Sequence, residues 1–377
     1  MKQKILIITT RPVLPLDGGD KVRIFNISEQ LSKYFEIDLI FIGCENQKKI
    51  ISEKKIFNNI YNIPLKKLNI IYNLFKFLMS RLPLQLSFFY NKEFKRIINK
   101  EADKYDFILP HLFRSSYSLD KKFDDRVIFE CCDSIGLAAS RISKFNSFKK
   151  IFFKLDEKRI IKFEKSLLLR YKKNVFINQE DVNFLNLGLS NNTIVLNNGK
   201  YIEDLEINYL NNYKSNTLLF IGNMNTYPNR QAVEFVFKFL KFRKDFNLII
   251  AGTGADYYKN RTNVTTLNSY SDLSQLNSYN IFAGVAPLFL GSGVQNKILD
   301  YLNLSIPCLT TPVGESGIDK NNPLIVFKDI DDFDIQLKLL KESFNKYKDV
   351  SEKGVPFLKK NHSWDVIGKF YKNYIIN

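Results

Sequence analysis

The sequence predicts an α/β chain built as two doubly wound domains in series, and three observations carry that prediction. Short apolar runs alternate with helical patterns, once from residue 4 onward and again from about residue 216. The length, 377 residues, exceeds what one core usually accommodates. The charge is also divided unequally along the chain. Of the formal +17, residues 1–200 hold 36 Lys and Arg against 21 Asp and Glu, a net +15, and the remainder holds +2. One domain is therefore expected to face an anionic surface.

The elements follow in order. "KILIITT" reads as a buried first strand rather than a leader, because its apolar stretch is short and ends in Arg-Pro with no small-residue cleavage site. "GGDKVRIFNISEQLSKY" sets Ile24, Ile27, Leu31 and Phe35 at helical spacing, and "EIDLIFIG" closes a βαβ unit. "YDFILP", "RVIFECCD" and "NVFINQ" read as further strands, with a long basic helix from about 148 to 172 between the last two. The order restarts with the strand "NTLLFIGNM", the helix "NRQAVEFVFKFLKFR" and the strand "FNLIIAGTG". "IFAGVAPL", "PCLTT" and "PLIVFK" continue the second series. The expected boundaries are a first domain over 1–195, a polar linker over 196–215, a second domain over 216–361, and a C-terminal helix over 362–377 that crosses back to the first domain. In such a pair the ligand lies in the cleft at the carboxyl ends of the strands.

Composition excludes several classes. Apolar residues make up 45% and charged residues 25%, which is globular rather than disordered. No run of about 18 apolar residues is present, so no spanning helix is expected. The four cysteines are scattered, with no CxxC, and read as reduced thiols of a cytosolic compartment. Lys66 to Lys100 carries eight basic residues and one acid, Glu93, threaded through Leu, Ile, Phe and Tyr. That pattern suits a helix in the headgroup region of an anionic membrane, or a helical subdomain whose apolar residues pack inward. No nucleic-acid-binding module is recognisable, so nucleic acid is not an expected partner.

The motifs point to a bound phosphate. A dinucleotide fingerprint would follow the first strand, yet only Gly18-Gly19 precedes the helix. That pair either opens a helix amino end to an anion or marks a turn needing positive φ. In the second half, Gly222 and Asn223 follow a strand. In "GSGVQNKILD", Gly291, Ser292, Gly293, Val294 and Gln295 lead into a helix carrying Lys297 and Asp300 on one face. Its amino end bears about half a positive charge and Lys297 a full one, suited to a pyrophosphate, while Asp300 could accept both hydroxyls of a ribose. The alternative is an exposed Lys297–Asp300 ion pair of little consequence. Asp133, after a strand, either faces a ligand or caps the next helix.

"KILIITTRPVLPLDGGDKVR", "LLFIGNMNTYPNRQAVEFV" and "APLFLGSGVQNKILDYLNLSIPCLTTPVGESGI" together resemble the retaining glycosyltransferases of GT-B fold, in the large group called family four. The resemblance implies two Rossmann-like domains facing each other across a cleft. It implies a nucleotide-sugar donor on the C-terminal domain and a glycan or lipid-linked acceptor on the N-terminal one. No cofactor beyond that co-substrate and no metal is expected, because helix ends and cationic side chains stabilise the leaving diphosphate. Retention, and a role at the inner membrane in capsule, O-antigen or lipopolysaccharide synthesis, follow from the same resemblance. His111 stands where relatives place a histidine by the donor sugar, and Glu315 lies in a turn near it. Arg23 and Arg114 are candidate acceptor or phosphate contacts. Many relatives carry two acidic residues eight apart; here the second is Asp300 and the first is replaced by Ser292. A nucleotide-sugar epimerase or phosphorylase of the same fold, or a non-catalytic membrane scaffold, are the competing functions.

Overall fold

The computed structural model describes residues 2–65, 68–143, 149–185, 193–289 and 295–377. The chain divides into two compact units, residues 1–196 with 367–377, and residues 197–366.

In the first unit, β1 (Lys4–Thr9), β2 (Glu36–Ile42), β3 (Ile60–Ile63) and β4 (Phe107–Pro110) form a parallel sheet in the order β3-β2-β1-β4. β5 (Ile128–Cys132), β6 (Lys173–Phe176) and β7 (Thr193–Val195) form a second parallel set. Isolated bridges at Ile108↔Val127 and His111↔Glu130 carry the ladder from β4 to β5. The run Ile5 to Ile8 is fully buried, as expected of a strand covered on both faces. Helix α1 (Gly19–Ser32) connects β1 to β2 and buries Ile24, Ile27 and Leu31. Beyond β3 come α2 (Leu68–Met79) and two shorter helices, Gln85–Phe89 and Lys92–Glu101. α3 (Ile135–Ser143) and α4 (Lys149–Arg170) lie between β5 and β6. The C-terminal helix, Trp364–Ile376, contributes Ile367 onward to this unit. There Lys173 Nζ donates to the Ile375 carbonyl at 2.7 Å, and the Tyr371 hydroxyl donates to Glu130 Oε2 at 2.6 Å.

The second unit is one six-stranded parallel sheet. Its strands are β8 (Thr217–Ile221), β9 (Asn247–Ala251), β10 (Val264–Leu267), β11 (Ala283–Ala286), β12 (Cys308–Thr310) and β13 (Ile325–Val326), in the order β10-β9-β8-β11-β12-β13. Helix α5 (Tyr227–Phe242) follows β8, and α6 (Asn296–Asn303) lies between β11 and β12. The polar segment 197–215, expected as a linker, belongs to this unit. Asn303 supplies the reason: its side chain donates to the Tyr201 carbonyl and accepts from the Glu203 N–H. Ile202, Leu205 and Tyr213 then pack against the core.

Both units share one plan. In each, the sheet order reverses between the first strand and the fourth, β1 and β4 in one and β8 and β11 in the other, and such switch points are where doubly wound sheets bind ligands.

Candidate functional site

At the second unit's switch point, β8 and β11 pair only at Ala283↔Leu218 and Gly284↔Leu219 before they diverge. The hydroxyl of Tyr301, on α6, enters the gap. It accepts from the Ile221 N–H at 2.9 Å and donates to the Val285 carbonyl at 3.2 Å. Its ring lies so close to β11 that a Cβ on Gly284 would come within 2.2 Å of it. This contact sets α6 against the sheet, and with it Lys297 and Asp300.

Lys297 is 7% exposed, and its Nζ donates to Asn229 Oδ1 at 2.7 Å while standing 5.0 Å from the Phe220 ring centroid. Burial lowers its pKa to about 8, against the opposing pull of Asp300. Asn229, near the start of α5, also donates to the Asn223 carbonyl at 2.9 Å. Asn229 comes so near β8 that a Cβ at Gly222 would lie 2.7 Å from its amide nitrogen. Beside them Gly252, after β9, has φ +125°, and a Cβ there would meet the Gly222 carbonyl oxygen at 2.2 Å. Only glycine serves in that close approach.

Asp300 forms an ion pair with Lys200, not with Lys297, which removes the exposed i,i+3 pair as a reading of this helix. Asp300 is buried, at 6% exposure, and Lys200 is half-buried. Lys200 is fixed by its backbone, which bridges to Ser363 and accepts the Trp364 N–H. Trp364 in turn packs within 2.6 Å of where a Gly199 Cβ would stand. Gln295 caps α6 through its carbonyl, which accepts the Ile298 N–H at 2.9 Å. Gly291, Ser292, Gly293 and Val294 lie outside the described residues. Glu315 ends a short helix after β12, with Oε1 accepting from Asn322 at 3.3 Å. The sequence also contains Asp-x-Asp spacings at Asp329–Asp331 and Asp332–Asp334, both with structural duties. Asp329 caps the helix Ile330–Lys341, and Asp334 pairs with Arg243 and Lys338. His362 is fully buried, with Nε2 3.4 Å from Asp319 Oδ2.

The first unit's switch point holds a recess lined by Thr9, Thr10, Arg11, Asp20, His111 and Leu112 among others. His111 is 3% exposed, and neither ring nitrogen has a hydrogen-bond partner. Desolvation lowers its pKa to about 4, so the ring is neutral at pH 7. Gly18 and Gly19 open α1 without positive φ: Gly18 sits at φ −152°, in extended backbone. The turn reading therefore falls away there, and a Cβ on Gly19 would meet nothing within 4 Å.

Two further expectations are corrected. Arg23, expected as an acceptor or phosphate contact, is held inside the unit instead. It is fully buried, with Nε donating to Glu130 Oε1 at 2.6 Å, and an arginine so deep needs such a partner. Asp133 is not the cap of α3. The neighbouring Ser134 accepts from the Leu137 N–H, and Glu164 accepts from the Ile135 and Gly136 N–H groups. Asp133 is left at the carboxyl end of β5, where desolvation by the surrounding protein raises its pKa, Asp20 and Glu130 acting in the same sense and Arg23 against it. Arg114 is half-buried with its guanidinium 4.9 Å from the Phe89 ring centroid. Sequence reading missed Lys200, Asn229 and Gly252; the "AGTG" turn after a strand was the available signal for the last.

Residues 215–341 match the family model described as glycosyl transferases group 1. No curated sequence matches the chain. Among solved structures, Anabaena HepE in complex with UDP superposes with a TM-score of 0.69 at 10% identity, covering 100% of both chains. Sucrose-phosphate synthase from Thermosynechococcus elongatus gives 0.67 at 13% identity, again over 100% of both. The lipopolysaccharide outer core galactosyltransferase WaaB gives 0.62 at 14% identity over 99% of both. The sheet orders above and these superpositions agree: the chain has the GT-B fold, and residues 215–341 of its second unit match the group 1 glycosyltransferase model.

Proposed function

We propose that the chain transfers a sugar from a nucleoside diphosphate sugar to a hydroxyl of a glycan or lipid-linked glycan, with retention and without a metal. The observation that carries this reading is the buried Lys297 ammonium, held by Asn229 at the carboxyl end of β8, one helical turn from Asp300. A lysine with lowered pKa and a single amide partner keeps donors for a diphosphate, and Asp300 is the acceptor for a ribose. The positive end of α6 adds to the same field. Together they supply the charge stabilisation that a departing diphosphate needs. UDP is the first nucleotide to test, because the HepE structures hold UDP and UDP-glucose.

The test is calorimetric titration with UDP followed by turnover of a UDP-sugar panel in EDTA. Wild type binds and turns over at least one donor. Lys297→Ala weakens UDP by roughly 10- to 100-fold, the worth of a charge-assisted hydrogen bond of about 1.5–3 kcal/mol. Affinity also falls as pH rises through about 8, where Lys297 loses its proton, and that dependence vanishes in the variant. An unchanged affinity in Lys297→Ala removes the donor assignment.

The same reading places the enzyme on the inner membrane in surface-polysaccharide or lipopolysaccharide synthesis. Its support is the α2 region, where Phe75, Leu78 and Met79 are 68%, 50% and 72% exposed beside Lys76 and Arg81. Such a face gains from apolar insertion and about 1 kcal/mol per basic residue near anionic lipid. Among the described residues no helix is long and apolar enough to cross a membrane. Phe75→Ser with Met79→Ser lowers binding to phosphatidylglycerol vesicles in a flotation assay; undiminished binding removes the membrane assignment.

A further inference from the structure

Asp300, the carboxylate assigned above to a ribose, is already engaged. It is 6% exposed, and its Oδ1 pairs with the Lys200 ammonium. Two hydroxyls can reach a carboxylate so covered only if a covering group gives way. Its charge acts on Lys297 and Tyr301 of α6 and on Tyr270, a phenol whose pKa burial and then Asp300 raise. None of these is placed to move. Lys297 is held by Asn229, the Tyr301 hydroxyl is spent between β8 and β11, and Tyr270 packs against the unit's core.

Lys200 differs from them. Its side chain is 29% exposed against 9% for that of Asp300, so its ammonium has a path to water on a flexible four-carbon stem. Its backbone is tied on both sides: the N–H donates to the His362 carbonyl at 2.6 Å, and the carbonyl accepts the Trp364 N–H at 3.3 Å. The stem is therefore the part with the most freedom. The Arg23–Glu130 pair makes the contrast, because both its side chains are at 0% and neither can return to water. When Lys200 leaves, only Asp300 needs new donors, and a ribose brings two hydroxyls. We propose that Lys200 is a swinging counter-ion, which closes Asp300 and yields it to the vicinal hydroxyls of a nucleotide's ribose, and so sets the donor's affinity and its selectivity for ribose. The inference rests on the donor reading above and adds a residue that opposes binding. If Lys200 stands off Asp300 in about a tenth of the molecules, it weakens UDP roughly tenfold.

Acetylation of lysines by an N-hydroxysuccinimide ester, read residue by residue in a mass spectrometer, follows the ammonium in the wild-type chain. With saturating UDP, Lys200 labels faster and Lys297 more slowly. With 2′,3′-dideoxy-UDP, which has the diphosphate but not the hydroxyls, Lys200 labels as it does without nucleotide. In calorimetry Lys200→Met tightens UDP roughly tenfold and changes 2′,3′-dideoxy-UDP by about twofold or less. Lys200→Arg, whose planar fork grips a carboxylate at two points, weakens UDP. Unchanged or slower labelling of Lys200 on UDP binding overturns the inference, and this measurement needs no variant to fold. An unchanged UDP affinity in Lys200→Met overturns it too. So does a weaker one, which would place the ammonium on the nucleotide itself. Each of these results leaves the donor reading intact. A wild-type chain that binds no UDP fails the donor reading first, and the role of Lys200 falls with it.

Discussion

The two switch points share a strand order and differ in how they handle charge. In the second unit the cation Lys297 has a neutral partner, Asn229, and the carboxylate Asp300 has a cation, Lys200. In the first unit Arg23 and Glu130 form a fully buried ion pair, and the recess at the switch point is lined by the neutral His111 and by an Arg11 already paired with Asp20. The contrast separates two uses of buried charge. Where the charges neutralise each other internally, they hold elements together; where one is left with neutral or no partners, it is available to a ligand. Glu130 belongs to the first kind, joining α1 through Arg23 to the C-terminal helix through Tyr371.

Removing a structural charge should therefore cost more stability than removing a binding one. Glu130→Gln leaves the Arg23 guanidinium buried without a counter-ion, which typically costs about 3–5 kcal/mol. Faster hydrogen exchange of β1 and β5 amides is the expected signature, and exchange at the wild-type rate would show that the pair contributes nothing. The next effect belongs to the second unit. Tyr301→Phe strips the partner from the Ile221 N–H and the Val285 carbonyl, at about 1–3 kcal/mol for buried groups left unmet. Urea denaturation should register it as a lower midpoint with an unchanged slope.

The smallest effect returns to the first unit. Glu164 is buried at the amino end of α3, and desolvation raises its pKa to about 7 despite its bonds to Ser134, Ile135 and Gly136. Asp181, close by, is raised to about 7 as well. The folded state then holds protons that the unfolded chain has released between about pH 4.5 and 7, so this pair's contribution to stability falls as pH rises through that window. Glu164→Gln flattens the melting temperature across pH 5–8. A wild-type profile already flat there would exclude the shift.

Much of the scaffold was legible in the chain itself. "KILIIT" and "TLLFI" are apolar on both faces because parallel strands are covered twice, and the α1 periodicity places Ile24, Ile27 and Leu31 inward. What escaped the reading depends on distant partners. Arg23 reads as a candidate acceptor or phosphate contact until Glu130, 107 positions away, accounts for its burial. The alternative reading of Asp300, as the ion-pair partner of Lys297, rests on local spacing, yet the partner it takes is Lys200, 100 positions away in sequence. The cap of α3 was missed by one residue, since Asp133 and Ser134 are both good caps and only backbone geometry chooses between them. The 197–215 segment looked like a linker because it is polar; its hydrogen bonds to Asn303 have no hydrophobic signature.

Trp364 is the chain's single tryptophan, packed on Gly199, and its backbone N–H donates to the carbonyl of Lys200, the residue whose amine holds Asp300. On the proposed reading, a ribose that draws Asp300 away from Lys200 would disturb the backbone bridge beside that indole. The protein thus has a built-in optical probe: occupancy of the proposed nucleotide site should be readable as a change in intrinsic emission, with no dye attached.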